Sequence, residues 1–250
     1  MVNISLSPGT IPDALKIAEL LPALKKPDAD FMNYSNFRPI SNLKMVPKVI
    51  EKSVAVQLSA YISTHRLDEW FQSAYKLHHS TETALVRVQN DILCATDSNH
   101  LVILLLLDLY AAFDTVDNFI RLSRLSDRLS VNGSVLAWFE SYLKSRKYYV
   151  QVEGTKSTTP TASCAVPQGS TLGPLLYALY TVPVADIVKS HNLLYHFHAD
   201  DTQLYVTFKS NCDVDAGLSR SRVEYCVADM GPKNASCCQY LEIFTQLKII

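Results

Sequence analysis

Three aspartates in two separated places could do chemistry together. Asp108 closes an unbroken aliphatic run, residues 101–107, and Asp200 and Asp201 stand side by side ahead of an alternating segment, residues 202–208. Seven consecutive aliphatic residues read as a strand buried on both faces, and a charge at its end is costly unless something there needs it. A bound Mg²⁺ is such a need, because it takes carboxylate and phosphate oxygens in octahedral geometry. Two such ions about 3.5–4 Å apart clamp the attacking and leaving oxygens of a phosphoryl transfer. The residues alone leave a second reading open: an aspartate at a strand end is also a common turn former, and Asp-Asp before Thr-Gln also suits a hairpin.

These carboxylates need elements to carry them. Residues 193–199 and 202–208 read as two strands joined at Asp200 and Asp201, which puts both carboxylates at a hairpin tip. Helical periodicity marks residues 48–62, 81–95 and 134–143, and residues 148–153 alternate like a strand. Near the start, Pro8, Gly9, Pro12, Pro22 and Pro27 surround one predicted short helix, residues 13–21, in what reads as a lead-in segment. After Asp108, Asp114 is placed to cap a helix running through Leu129. Residues 165–174 form a glycine-containing turn that opens onto a helix with Pro174 in its first turn. Main-chain N–H groups and a side chain of such a loop can approach a nucleotide closely, although this punctuation is also common in ordinary structure.

Composition narrows the class. The chain has 250 residues, 48% of them hydrophobic, enough for a core in one or two subdomains and too apolar for a disordered polymer. No run reaches the roughly 20 apolar residues of a membrane span, and the first residues lack a secretory pattern. The expectation is an intracellular protein, nuclear or cytoplasmic, with no membrane partner. Six cysteines stand without any C-x-x-C pair, which argues against a zinc site or a disulfide framework. His78, His79, His196 and His198 lack a further ligand at zinc spacing. The net charge of -1 is low for a nucleic-acid binder, yet Lys25, Lys26, Arg38, Lys44, Lys48 and Lys52 bias the first quarter toward positive charge. Lys144, Arg146 and Lys147 make a second cluster, and either cluster also reads as a solvated surface.

Six segments stand in one order: NFRPISNL (36–43), FQSAYKLHHSTETAL (71–85), LLLLDLYAAFDTVD (104–117), WFESYLKSRK (138–147), AVPQGSTLGPLLYALY (165–180) and HADDTQLY (198–205). Together they closely resemble the reverse transcriptases of LINE-class, non-LTR retrotransposons, over about residues 20–210. The resemblance implies an α+β fold with right-hand polymerase fingers and palm, an antiparallel palm sheet packed on helices, and no thumb. It implies a lead-in over 1–30, fingers over 31–98, palm over 99–120, a connection over 121–160, palm again over 161–230 and a divergent tail over 231–250.

It also implies roles. Asp108 and Asp200 would bind two Mg²⁺ ions, with Mn²⁺ as the alternative metal. The Leu109 carbonyl would assist, and Asp201 would support the site or orient the primer end. Phe113 would block a ribose 2′-hydroxyl, so that dNTPs are the substrates. Gln168 and Gly169 would pack beneath the incoming nucleotide, and Arg38 and Lys76 would face template or triphosphate. RNA template and DNA primer are the implied partners.

The chain departs from the family pattern at several of its own residues. His198 stands where an aromatic near the primer end is usual, Lys76 where Arg is usual, Tyr110 where a small residue is common and Ala165 where Gly is usual. Lysine keeps the charge of arginine and loses its bidentate fork. Residues 231–250 lose the pattern of the family's next element, including its general-acid lysine, which also leaves open a catalytically inactive retrotransposon remnant that at most binds nucleic acid. A viral RNA-directed RNA polymerase shares the palm logic, and Phe113 argues against it.

Overall fold

A computed structural model of the protein describes residues 2–109, 116–152, 154–161, 167–209, 213–230 and 243–249. The chain divides into two compact units: Met1–Leu67 with Val116–Leu176, and Asp68–Thr115 with Tyr177–Ile250.

The first unit opens with a single helical turn, α1 (Val2–Leu6), and strand β1 (Ile17–Leu24). The helix expected over 13–21 is therefore corrected: Asp13–Leu15 is one 3-10 turn ended by Lys16, and residues 17–21 are strand. Long-range pairing decides this, as it does wherever tertiary context overrides local preference. β1 runs antiparallel to β2 (Phe37–Asn42) from Glu19↔Asn42 to Leu24↔Phe37 and parallel to β4 (Lys147–Val152) from Ile17↔Lys147 to Leu20↔Val150. Pro22 lies past the parallel pairing and opposite Pro39, where its missing N–H is tolerated. A short β5 (Thr155–Lys156) completes the order β2-β1-β4-β5. The segment read as a lead-in thus supplies an inner strand of this sheet.

Helix α2 (Met45–His65) turns Pro47, Ile50, Val54, Leu58 and Ile62 inward, at the three- and four-residue steps of one helical face. Arg66, left-handed at φ +52°, ends it by donating its N–H to the Ile62 and Ser63 carbonyls. Helix α4 (Asn118–Asp127) is capped by Asp117, whose carboxylate accepts from Phe119 N and Ile120 N at 2.6 and 3.3 Å. The cap expected at Asp114 falls outside the described residues, and the helix begins at the next aspartate along. Helix α5 (Gly133–Leu143) buries Trp138, Phe139, Tyr142 and Leu143, with the Trp138 and Tyr142 rings stacked 5.3 Å apart.

The second unit is organised around β3 (His100–Leu109), the aliphatic run. Ile103, Leu105 and Leu107 face a core shared with Val184, Ala185 and Val188 of α6 (Gly173–Ser190) and Val223, Cys226 and Met230 of α7 (Asp213–Met230). Val102 packs on the other face with Val88 of α3 (Thr81–Asp97) and Tyr205, so the strand is covered on both sides as its composition predicts. The α3 N-terminus is closed by Ser80 and Thr83, each side chain accepting from the other residue's backbone N–H. Strands β6 (Leu194–His198) and β7 (Asp201–Lys209) form the predicted hairpin. With β8 (Ile243–Ile249) the order is β6-β7-β3-β8, antiparallel throughout. Residues 243–249, read from sequence as divergent tail, pair with β3 from Ile103↔Ile249 to Leu109↔Ile243. No helix among the described residues is long and apolar enough to cross a membrane.

Candidate active site

Strand register collects the aspartates in the second unit. β3 and β7 pair from His100↔Lys209 to Leu107↔Thr202, and one further step of that register brings Asp108 level with Asp201. Asp201 in turn pairs with His198 across the β6–β7 hairpin, and only Ala199 and Asp200 lie between them. Asp108, Asp200 and Asp201 therefore occupy one end of one sheet, although residue 108 lies far from 200 and 201 in sequence. Leu109 ends β3 opposite Ile243. Asp200 is half-buried and Asp201 exposed. The side chain of Asp108 and the whole of Phe113 lie outside the described residues, and among those described no three His, Cys, Asp or Glu side chains form a metal cluster. The donor set is hard carboxylate oxygen, which fits Mg²⁺ or Mn²⁺ and does not favour softer metals.

The turn carrying Asp200 is held from outside. Ala199 has φ +59°, a left-handed conformation at the first position of a two-residue hairpin loop, where glycine is the usual occupant. Buried Gln72 secures it: Gln72 Oε1 accepts from Ala199 N and Ala74 N, each at 3.0 Å, and Gln72 Nε2 donates to the Ala199 carbonyl at 3.4 Å. On either side, Phe197 N donates to the Phe71 carbonyl at 2.8 Å and Ser73 N to the Phe197 carbonyl at 2.9 Å, so residues 71–73 run beside β6 as an added strand. Ser73 Oγ and His196 Nε2 lie 2.7 Å apart in the interior. Burial, with the Arg87 charge adding to it, holds the His196 imidazole below its ordinary value. Tyr75 is pushed up by burial and by the charge of Asp200.

Lys76 is placed in the same strap. Its ammonium contacts Asp68 and the Glu69 carbonyl, each at 2.6 Å. Buried Glu69 accepts from Tyr195 Oη at 2.7 Å and Lys189 Nζ at 2.9 Å, tying the strap to β6 and α6. Tyr195 is raised above the tyrosine range, first by burial and then by this bond to Glu69.

The remaining expected residues, Arg38, Gln168 and Gly169, come together in the first unit. Gln168 bridges Ile40 of β2 in parallel sense, and Ser41 N donates to the Gln168 carbonyl at 2.6 Å. Gly169 has φ +113°, and a Cβ there would lie 2.7 Å from the Ser41 carbonyl oxygen. Glycine is required on both counts. Arg38 lies two residues before Ile40, so both project from the same side of β2, and both are exposed. Sequence reasoning missed Gln72 and the buried Glu51 of α2. The available signal for Glu51 was its place on the inward stripe, four residues after Pro47 and three before Val54.

The model of the reverse transcriptase (RNA-dependent DNA polymerase) family matches residues 24–230. The chain belongs to this family. Among curated reverse transcriptases it is 32% identical over 199 residues to the probable RNA-directed DNA polymerase from transposon X-element of Drosophila melanogaster, covering 79% of this chain and 22% of the relative. To the RNA-directed DNA polymerase from mobile element jockey of the same organism it is 30% identical over 222 residues, covering 86% of this chain and 24% of the relative. The chain thus spans about a quarter or less of the length of these relatives. The LINE-class resemblance of the six motifs agrees with both. The fold is similar to that of apo telomerase from Candida tropicalis truncated from its C-terminal domain, with a TM-score of 0.63 at 13% identity, covering 96% of this chain and 51% of the other. An α+β reverse-transcriptase fold with an antiparallel sheet is therefore what the chain forms.

Proposed function

We propose that this chain is the fingers and palm portion of an RNA-directed DNA polymerase that adds dNTPs to a primer 3′-hydroxyl on an RNA template. The observation that carries the proposal is the β3–β7 register, which brings Asp108 level with Asp201 and next to the turn holding Asp200. Asp108 and Asp200 would hold two Mg²⁺ ions, with the Leu109 carbonyl assisting. When bound, such ions lower the pKa of the attacking hydroxyl and neutralise charge building on the triphosphate. The 3′-hydroxyl attacks the α-phosphate, and pyrophosphate leaves. Asp201, on the same sheet end, supports the site or orients the primer, and His198 lies against the primer terminus.

Gln168 and Gly169 pack beneath the nucleotide, where backbone without a side chain allows a close approach. Phe113 bars a ribose 2′-hydroxyl. Arg38 is free of crowding on the exposed side of β2 and suits a phosphate. Lys76 would reach one by giving up its bond to the Glu69 carbonyl and its contact with Asp68, the latter a partly exposed pair whose opening costs on the order of 1 kcal/mol or less.

The test is incorporation on an oligonucleotide-primed RNA template, supplied with dNTPs or rNTPs and a divalent metal. The expected result is DNA synthesis with little use of rNTPs, and a rise in rNTP use for Phe113→Val. A folded chain that extends no primer would overturn the proposal.

A further inference from the structure

Glu51 is a carboxylate with 1% of its surface exposed, on the inward face of α2, and the polymerase reading gives it no role. Burying a carboxylate is expensive unless its oxygens are satisfied. Here they are, and the donors come from two separate elements. Oε1 accepts from Tyr142 Oη of α5 at 2.7 Å, while Oε2 accepts from Ser170 Oγ at 2.9 Å and Thr171 N at 2.8 Å. The Arg146 guanidinium supplies counter-charge at 3.8 Å; it lies over the Tyr142 ring at 4.1 Å, and its Nε donates to the Tyr142 carbonyl at 2.9 Å.

Ser170 passes the constraint on. Its Oγ accepts from Leu172 N at 3.2 Å and Gly173 N at 2.9 Å, capping the start of α6. Gln168 and Gly169 lie immediately before it. Their other side is pinned to β2 by the bond from Ser41 N and by the 2.7 Å approach that only a glycine allows. The turn is thus fixed at both ends, by β2 on one side and on the other by the buried Glu51 carboxylate, with Tyr142 Oη also 2.9 Å from Ser170 Oγ. An apolar side chain could fill the volume of Glu51. It could not take a hydroxyl from α5 together with a hydroxyl and an N–H from the turn.

We propose that Glu51 is a positioning residue for the incoming nucleotide, holding Gln168 and Gly169 in place through Ser170 and Thr171. The inference rests on the reading of Gln168 and Gly169 as the nucleotide floor. It assigns Glu51 no contact with substrate.

The experiment compares wild type with Glu51→Gln, Tyr142→Phe and Gly169→Ala. Amide hydrogen exchange across residues 168–173 is measured on the full chain, alongside equilibrium dNTP affinity on a dideoxy-terminated primer paired to RNA. Glu51→Gln removes the charge and leaves one uncharged oxygen where two carboxylate oxygens accept from Tyr142 Oη, Ser170 Oγ and Thr171 N. It should speed exchange at Thr171–Gly173 by about tenfold more than in α4 and α5, and weaken dNTP binding by about tenfold, with primer–template affinity within about twofold. Tyr142→Phe removes the Tyr142 Oη contacts with Glu51 at 2.7 Å and with Ser170 Oγ at 2.9 Å but leaves the Glu51 bonds to Ser170 and Thr171, and should weaken dNTP binding less than Glu51→Gln does. Should Glu51→Gln not fold, Ser170→Ala carries the same expectations.

Faster exchange spread evenly over α2, α4 and α5, with no local excess, would reduce Glu51 to an ordinary packing role and overturn the proposal. So would local loosening with unchanged dNTP affinity. Gly169→Ala separates the two layers: if it weakens dNTP binding and Glu51→Gln does not, only the role of Glu51 falls. If neither variant does, or if wild type binds no dNTP, the nucleotide floor falls and the Glu51 proposal with it.

Discussion

Replacing Gln72 by Leu removes the outside support of the Asp200 turn without changing any aspartate. Two N–H groups lose their acceptor, Ala74 N and Ala199 N, both now 3.0 Å from Gln72 Oε1. An unpaired buried N–H costs about 1–3 kcal/mol. Ala74 is only 4% exposed, so water cannot replace the bond there; Ala199 is half-buried and recovers part of its loss. The sum is about 2–3 kcal/mol. Ala199 at φ +59° adds to the reason for change, since a left-handed residue with a side chain costs roughly 1–2 kcal/mol and persists only where its surroundings hold it. Amide exchange read by NMR or mass spectrometry should show Ala74 and Ala199 opening roughly 30- to 150-fold more often, at about 1.4 kcal/mol per tenfold. The midpoint of thermal unfolding should fall by roughly 4–12 °C. Gln89→Leu, on the exposed side of α3, is the control and should stay within about 0.5 kcal/mol of wild type. Unchanged protection at Ala199 in Gln72→Leu, with the protein folded, would refute the clamp.

Other substitutions test the scaffold around the site. His196 is held below its ordinary value by burial first and by Arg87 second. The unfolded chain therefore takes up a proton near pH 6.5 that the folded chain refuses, so stability falls as pH drops below about 6.5 toward the lowered folded value. His196→Asn should flatten that part of a stability-versus-pH curve, whatever it does to stability at pH 8; an unchanged slope between pH 7 and 5.5 would contradict the assignment. Asp117→Ala removes the acceptor for Phe119 N and Ile120 N at the start of α4 and should cost about 1 kcal/mol in chemical denaturation. Cys226 is buried, and burial pushes its thiol up to about 12, whereas Cys94 is exposed. A thiol reagent at pH 8 should label Cys94 in the native protein and leave Cys226 unlabelled until unfolding, as peptide mapping would read directly.

Much of this architecture could be read from the residues because the signals are local. The aliphatic run of β3 and the 3.6-residue stripes of α2, α3 and α5 report burial on a period that the sequence repeats, whereas β6 buries Tyr195, His196 and Phe197 in succession. Asp108 stood out as a candidate for a related reason: a charge after seven aliphatic residues is conspicuous. β1 was not readable, because residues 17–24 become a strand only through partners at residues 37–42 and 147–150. The α4 cap went to Asp117 where Asp114 was expected, a choice between two aspartates that spacing alone does not decide. The roles of Gln72 and Glu51 could not be read for a different reason, although Glu51 sits on the inward stripe of α2. Each looks like an ordinary polar residue until the fold shows which donors converge on it from distant elements, Ala199 in one case and Ser170 and Thr171 in the other.

Whether the end of β3 and the β6–β7 turn catalyse nucleotidyl transfer is decided by primer extension with this chain on an oligo-primed RNA template with dNTPs and Mg²⁺, beside Asp108→Asn and Asp200→Asn at matched concentration. The wild-type chain should incorporate dNTPs, and both variants should lose nearly all incorporation while staying folded. Extension that survives either substitution would contradict the placing of the reaction at the end of β3 and the β6–β7 turn.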